Sequence, residues 1–310
     1  MTERIYVQDV GVRDGFQSEP KFVPTDVKIA LIDELSETGL AKIEVTAFVS
    51  PKAVPAMRDA AEVLARIKRA PDVTYTALVP NARGAEGAVA GTADEINIFM
   101  SASESHNLAN VNKSTDASFE ASKELMRVVE GTGISVNGTI STSFGCPFEG
   151  RVEPARVMDF VQRYLDLGVS GVTLADTTGM ANPAQVRSLV EMTYKRFPDL
   201  DLTLHFHNTR GMGLANVLAG LQAGCHRYDG SIGGLGGCPF APGATGNICT
   251  EDLVHMLWAM GYETGVDLDR LIAASRKLPA IVGHDVPGQV AKAGKYTQLH
   301  SLAGAKRAAG

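Results

Sequence analysis

Short runs rich in β-branched residues alternate with helical patterns eight times along this chain of 310 residues, and few folds accept that order. The expected strands cover 5–10, 42–48, 73–79, 95–101, 135–143, 171–177, 202–208 and 227–232. The helical patterns between and after them cover 25–38, 55–70, a shorter 82–89, 115–130, 154–167, 183–197, 212–223 and 250–260. Thr25 stands at a cap position, and Gly39 follows the first helix as a stop. Eight β/α units without an insertion-sized gap predict a closed (β/α)8 TIM barrel. A doubly wound open sheet would need a phosphate-binding glycine fingerprint after the first strand. Gly-Val-Arg-Asp-Gly-Phe-Gln (11–17) is not one. Gly211-Met-Gly213 opens a partial fingerprint after the seventh strand, but Asn216 stands where the third Gly or Ala belongs. The barrel is expected over 1–267, with a C-terminal helical extension, 268–310, packed on it. That extension should hold one helix over 268–277 and then a Gly/Pro-containing stretch.

The composition, 45% hydrophobic and 21% charged, is that of a soluble globular chain. A net charge of −6 without a long Lys/Arg run argues against nucleic acid as a partner. No apolar run reaches the roughly 18 residues of a transmembrane helix, so no membrane partner is expected. The N-terminus enters its first strand almost at once, without a signal-peptide core or Arg-rich leader, and the expectation is a cytoplasmic protein. Cys146, Cys225, Cys238 and Cys249 form no Cys-x-x-Cys pair and are expected as free thiols.

The chemistry-bearing residues fall where a barrel places its active site, at the C-terminal ends of the strands. His205 and His207 lie in Leu-Thr-Leu-His-Phe-His-Asn-Thr (202–209). Residues i and i+2 of a strand face the same way, so two imidazoles leave the backbone side by side. Arg13 and Asp14 follow strand one, Glu44 lies in strand two, and Asp176 is near the end of strand six. The loop 233–247 after strand eight carries six glycines, Cys238 and a terminal Asn247. Asp14, His205, His207 and Asn247 offer two imidazole nitrogens, a carboxylate and an amide oxygen. That set suits Mg²⁺ or Mn²⁺ with positions left open for substrate oxygens. Arg13 adds a permanent planar cation for a carbonyl becoming an enolate, and Gln17 a neutral hydrogen bond. Cys238, on a mobile loop near a cation, is a candidate proton-exchanging thiol. The tetrad Gly-Cys-Pro-Phe recurs at 145–148, where Cys146 lacks the glycine context and reads as structural.

Together these residues resemble the hydroxymethylglutaryl-CoA lyases, in the metal-dependent TIM-barrel lyase group that also contains the isopropylmalate and homocitrate synthases. The resemblance spans about 5–271. It is carried by Val-Arg-Asp-Gly-Phe-Gln (12–17), Ile-Glu-Val-Thr-Ala-Phe-Val-Ser-Pro-Lys (43–52), Gly-Cys-Pro-Phe-Glu-Gly (145–150), Ala-Asp-Thr-Thr-Gly (175–179), His-Phe-His-Asn-Thr (205–209) and, most specifically, the loop 234–247. It implies cleavage of a 3-hydroxy-3-methylglutaryl thioester into acetyl-CoA and acetoacetate, within leucine degradation. Asp14, His205, His207 and Asn247 would hold the metal, with His205 also among the catalytic groups. Arg13 would stabilise the thioester enolate, Glu44 would orient Arg13, Asp176 would help move the hydroxyl proton, and Cys238 would protonate the product carbanion. Coenzyme A enters as part of the substrate, with Gln17, Lys52, Asn81 and Lys113 as its rim contacts and Arg83 as a further cation. A homo-oligomer, dimer or tetramer, is expected.

The chain departs from the family pattern at Ala47, Ala53, Ala56, Asn208, Arg210 and Met212. Arg210 is expected either to meet a substrate carboxylate or to be a solvated residue at a helix start. A pocket for a different 3-hydroxyacyl-CoA diacid is the alternative acyl preference. Two other classes compete: a transferase condensing an acyl-CoA with a 2-oxo acid, and a non-catalytic metal-binding barrel.

Overall fold

The alternation closes on itself. The structure, a computed structural model, describes residues 3–237 and 246–299. Its strands are β1 (Tyr6–Asp9), β2 (Lys42–Ala47), β3 (Thr74–Leu78), β4 (Glu95–Ser101), β5 (Ser135–Ser141), β6 (Gly171–Asp176), β7 (Leu202–Phe206) and β8 (Arg227–Gly230). Each pairs in parallel with its neighbour and β8 returns to β1, giving the closed barrel the sequence predicts. Strands buried on both faces must divide their residues between helix-facing and interior positions. In β2, Ile43 and Val45 join the apolar core, while Glu44, of opposite parity, is bonded to Arg13 and Asn97. Polar interior layers satisfy one another, as in Gln8 to Thr203 at 3.3 Å and Asn137 to Thr173 at 2.9 Å.

The helices are α1 (Thr25–Ser36), α2 (Ala60–Arg66), α3 (Ala82–Ala90), α4 (Glu104–Val111), α5 (Thr115–Val129), α6 (Pro154–Leu167), α7 (Pro183–Arg196), α8 (Gly213–Gln222), α9 (Thr250–Ala259), α10 (Leu268–Ser275), α11 (Leu278–Val282) and α12 (Val290–Ala293). Three departures from the expected pattern have local causes. The helix expected over 55–70 is broken into a 3-10 turn, Pro55–Met57, and α2. At the break, the Asp59 carboxylate takes the buried Lys28 ammonium at 2.7 Å, and Lys28 also donates to the Ala56 carbonyl. Helix α4 has no counterpart in the expected pattern because its buried residues are His106 and Asn107, not an apolar stripe. The Gly/Pro-containing stretch after 277, for which no individual helix is expected, forms α11 and α12.

That last segment lies against the start of the glycine-rich loop. The amide of Gly288 donates to the Gly233 carbonyl at 3.1 Å. The Asp252 carboxylate receives the amides of Gln289 and Val290. Gly233 has φ +69°, and a Cβ there would lie 2.4 Å from Leu278 Cδ1. Gly233→Ala therefore combines a left-handed backbone with a steric clash, and should lower stability by about 2 kcal/mol. Thermal unfolding checks this: a midpoint several degrees below wild type is the expected result.

Candidate metal centre and its cavity

Strand β7 delivers His205, and His207 follows just past its end, with ring centroids 5.1 Å apart. A π-helical turn, Gly11–Gly15, continues from β1 and carries Arg13 and Asp14 over the barrel mouth. The segment around Asn247 pairs with the end of β7: Asn208 donates to the Gly246 carbonyl at 2.9 Å and Ile248 to the Phe206 carbonyl at 3.0 Å. This places Asn247 opposite His207. The result is one group in which ligand atoms of Asp14, His205 and His207 all lie within 4.8 Å of one another. Gly236 packs on it so closely that a Cβ would lie 2.6 Å from Asn247 Nδ2 and 3.1 Å from Asp14 Oδ2.

Arg13 ties the group together. Its Nε donates to Glu44 and its Nη1 to Asp14 Oδ1 at 2.6 Å. Glu44 in turn accepts from Asn97 at 3.0 Å. Burial pushes the Asp14 carboxyl up, but the Arg13 guanidinium and the two imidazoles outweigh it and hold Asp14 below the usual carboxylate range. Burial, and then neighbouring His205, lower His207 to about 3, so its imidazole is neutral at any physiological pH. Burial raises Glu44 despite the guanidinium beside it.

The donor set fits a divalent cation. Asn247 Nδ2 donates to Asp14 Oδ2 at 2.6 Å and to the Leu235 carbonyl at 3.0 Å. Asn247 Oδ1 and His207 Nδ1 are buried with no hydrogen-bond partner among the described residues. Unpartnered buried acceptors beside a carboxylate and a second imidazole are what a bound ion would satisfy.

A cavity of about 460 Å³ opens over this group and is lined by Arg13, Asp14, Gln17, His205 and His207. Asn81 and Lys113 also line it, while Lys52 is exposed and outside the lining. The Asn81 side chain caps α3 by accepting from Gly84 at 3.0 Å. Asp176 Oδ1 accepts the amides of Met180 and Ala181, and its Oδ2 is buried without a partner. Burial pushes its carboxyl up to about 7. Cys238 lies outside the described residues. Cys146, Cys225 and Cys249 are free and buried; the Cys146 thiol sits 2.8 Å from Ser103 Oγ, the structural place expected of it.

Arg210 is exposed, and its Nη1 donates to the carbonyls of Thr178 and Gly179 at 3.1 and 2.8 Å. Asn208 is likewise engaged, accepting from Gly213 at the start of α8. These two departures from the family pattern brace loops. Sequence reasoning missed Asp229 and Asn97. Both are strand residues with no motif around them, and only the closed register brings Asp229 beside His205 and Asn97 beside Glu44.

Comparison with known proteins agrees with this geometry. The family model described as HMGL-like matches residues 4–278. YngG of Bacillus subtilis (strain 168), a hydroxymethylglutaryl-CoA lyase, is 45% identical over 287 residues, 93% of this chain and 96% of the relative. The human mitochondrial hydroxymethylglutaryl-CoA lyase is 41% identical over 293 residues, 94% of this chain and 90% of the relative. The structure of an HMG-CoA lyase from Acinetobacter baumannii in complex with coenzyme A and 3-methylmalate matches with a TM-score of 0.93 at 52% identity, covering 96% of this chain and 97% of that one. The barrel, its ligand group and these relatives together place the chain in the HMGL-like family.

Proposed function

We infer that this protein is a divalent-metal-dependent hydroxymethylglutaryl-CoA lyase. It breaks the C2–C3 bond of 3-hydroxy-3-methylglutaryl-CoA to give acetyl-CoA and acetoacetate. The observation that carries this reading is the joining, in one cavity, of the Asp14–His205–His207 group to a guanidinium held by two carboxylates. Asp14, His205, His207 and Asn247 would hold the ion, Mg²⁺ or Mn²⁺, which would supply Lewis acidity that lowers the pKa of a hydroxyl.

Three demands remain for the chain. The C3 hydroxyl must lose its proton, the bonding pair must be held on the thioester as an enolate, and C2 must gain a proton. Asp176, set between the cavity-lining residues Ala175 and Thr177 and raised to about 7 by burial, is the group we assign to take and return a proton near neutrality. Arg13 stabilises the enolate oxygen, and Glu44 fixes the guanidinium plane from the side. Cys238 supplies the proton to C2. Gln17, Asn81 and Lys113 contact the coenzyme A portion, a role supported for them by the cavity lining but not for Lys52. The reading extends to a cytoplasmic protein of leucine degradation that self-associates as a dimer or tetramer. Exposed Trp258 and Tyr296, their tilted rings 5.2 Å apart, support self-association.

A cleavage assay with product identification tests it. Equal acetoacetate and acetyl-CoA are expected, lost on chelation and restored by Mg²⁺ or Mn²⁺, with hydroxymethylglutaryl-CoA the best of a panel of 3-hydroxyacyl-CoA diacids. Thiol release from acetyl-CoA plus a 2-oxo acid, without cleavage of any hydroxyacyl-CoA, would overturn it in favour of a condensing transferase.

A further inference from the structure

We propose that Asp229 is a positioning residue for the metal centre. It holds the His205 ring with Nδ1 protonated, so that Nε2 is the atom offered to the cation. The inference rests on the metal reading above and deepens it.

The two histidines are built differently. In the β7–β8 register His205 is the direct partner of Asp229, and His205 Nδ1 lies 2.6 Å from Asp229 Oδ1. The side chains are 12% and 8% exposed, so water competes little for this bond. His207 has no such support: its Nδ1 is buried and unpartnered among the described residues. One imidazole is therefore fixed in tautomer and orientation before any ion arrives, while the other is set by packing. A carboxylate behind a ligating histidine also makes the ligand nitrogen more basic. Asp229 faces the cavity, so its charge also acts on Arg13.

The test is Mn²⁺ binding to the full-length protein without substrate, followed by electron paramagnetic resonance of the free ion. Asp229→Ala should weaken binding about 10–100-fold. Asp229→Asn keeps an acceptor for Nδ1–H but loses the charge, and should fall between that variant and wild type. Histidine ¹⁵N NMR of the metal-free protein should show His205 as a single tautomer in wild type and as a mixture in Asp229→Ala, a change that general destabilisation does not produce. Wild-type affinity and an unchanged tautomer in folded Asp229→Ala would overturn the proposal. If that variant does not fold, wild-type affinity in Asp229→Asn overturns it equally. Absence of Mn²⁺ binding by the wild-type protein is a different outcome, and it removes the metal reading itself.

Discussion

A protein carrying His207→Ala folds, and it loses metal-dependent turnover. The imidazole Nδ1 has no hydrogen bond to lose among the described residues. The backbone at this point is held independently of the side chain, by pairing with the Asn247 segment. Truncation therefore removes one ligand of the group and little else. Supporting residues behind a metal ligand are worth about 10–100-fold in affinity, so a ligand itself should be worth about 100-fold or more. Turnover at saturating substrate should fall below about 1% of wild type, because the hydroxyl loses its acidifying partner. Mn²⁺ titration and steady-state kinetics measure the two effects, and circular dichroism should be unchanged. A variant retaining a tenth of wild-type turnover at modest metal concentration would remove His207 from the ligand set.

Arg13→Met is expected to act on the rate and on stability at once. Methionine keeps much of the apolar stem and deletes the guanidinium. Removing one donor from a developing oxyanion lowers kcat about 10²–10³-fold, with smaller change in KM. Lysine should rescue this only in part, since an ammonium cannot donate to Glu44 and Asp14 in the fixed fork that Nε and Nη1 provide. The stability effect follows from what is left behind. Glu44 is buried, and without Arg13 it and Asp14 face each other with no cation between them. Breaking a buried pair in this way costs about 3–5 kcal/mol at neutral pH. A carboxyl whose folded-state pKa is raised takes up protons on folding, so its burden lightens as pH falls. The deficit of Arg13→Met against wild type should shrink from pH 8 toward pH 5, as denaturant titrations at several pH values would reveal. A deficit that grows toward acid pH would contradict the assignment.

The sequence made the barrel legible because its information is periodic and local. Each β/α unit announces itself by a β-branched run, a cap and a stop. His205 and His207 were legible for the same reason, since strand parity alone puts them on one face. What required the structure was contact across the barrel. Asp229 reads as one more acid in a short strand until β8 lies beside β7. Asn247 reads as a metal ligand from the sequence, but the pairing that sets its segment opposite His207 needs the fold. Helix α4 escaped because polar partners, not apolar periodicity, bury its inner side: Asn107 accepts from the Ser101 amide and donates to the Lys113 carbonyl and Ser118. The two loop carbonyls that take Arg210 Nη1 are likewise contacts that no local pattern announces.

The segment after α10 supports Gly233, where the glycine-rich run begins. During synthesis, all eight strands leave the ribosome before that shelf exists. A nascent chain cut short before residue 278 could thus close its barrel and still be catalytically silent, its active site waiting on a segment that carries none of the candidate ligands.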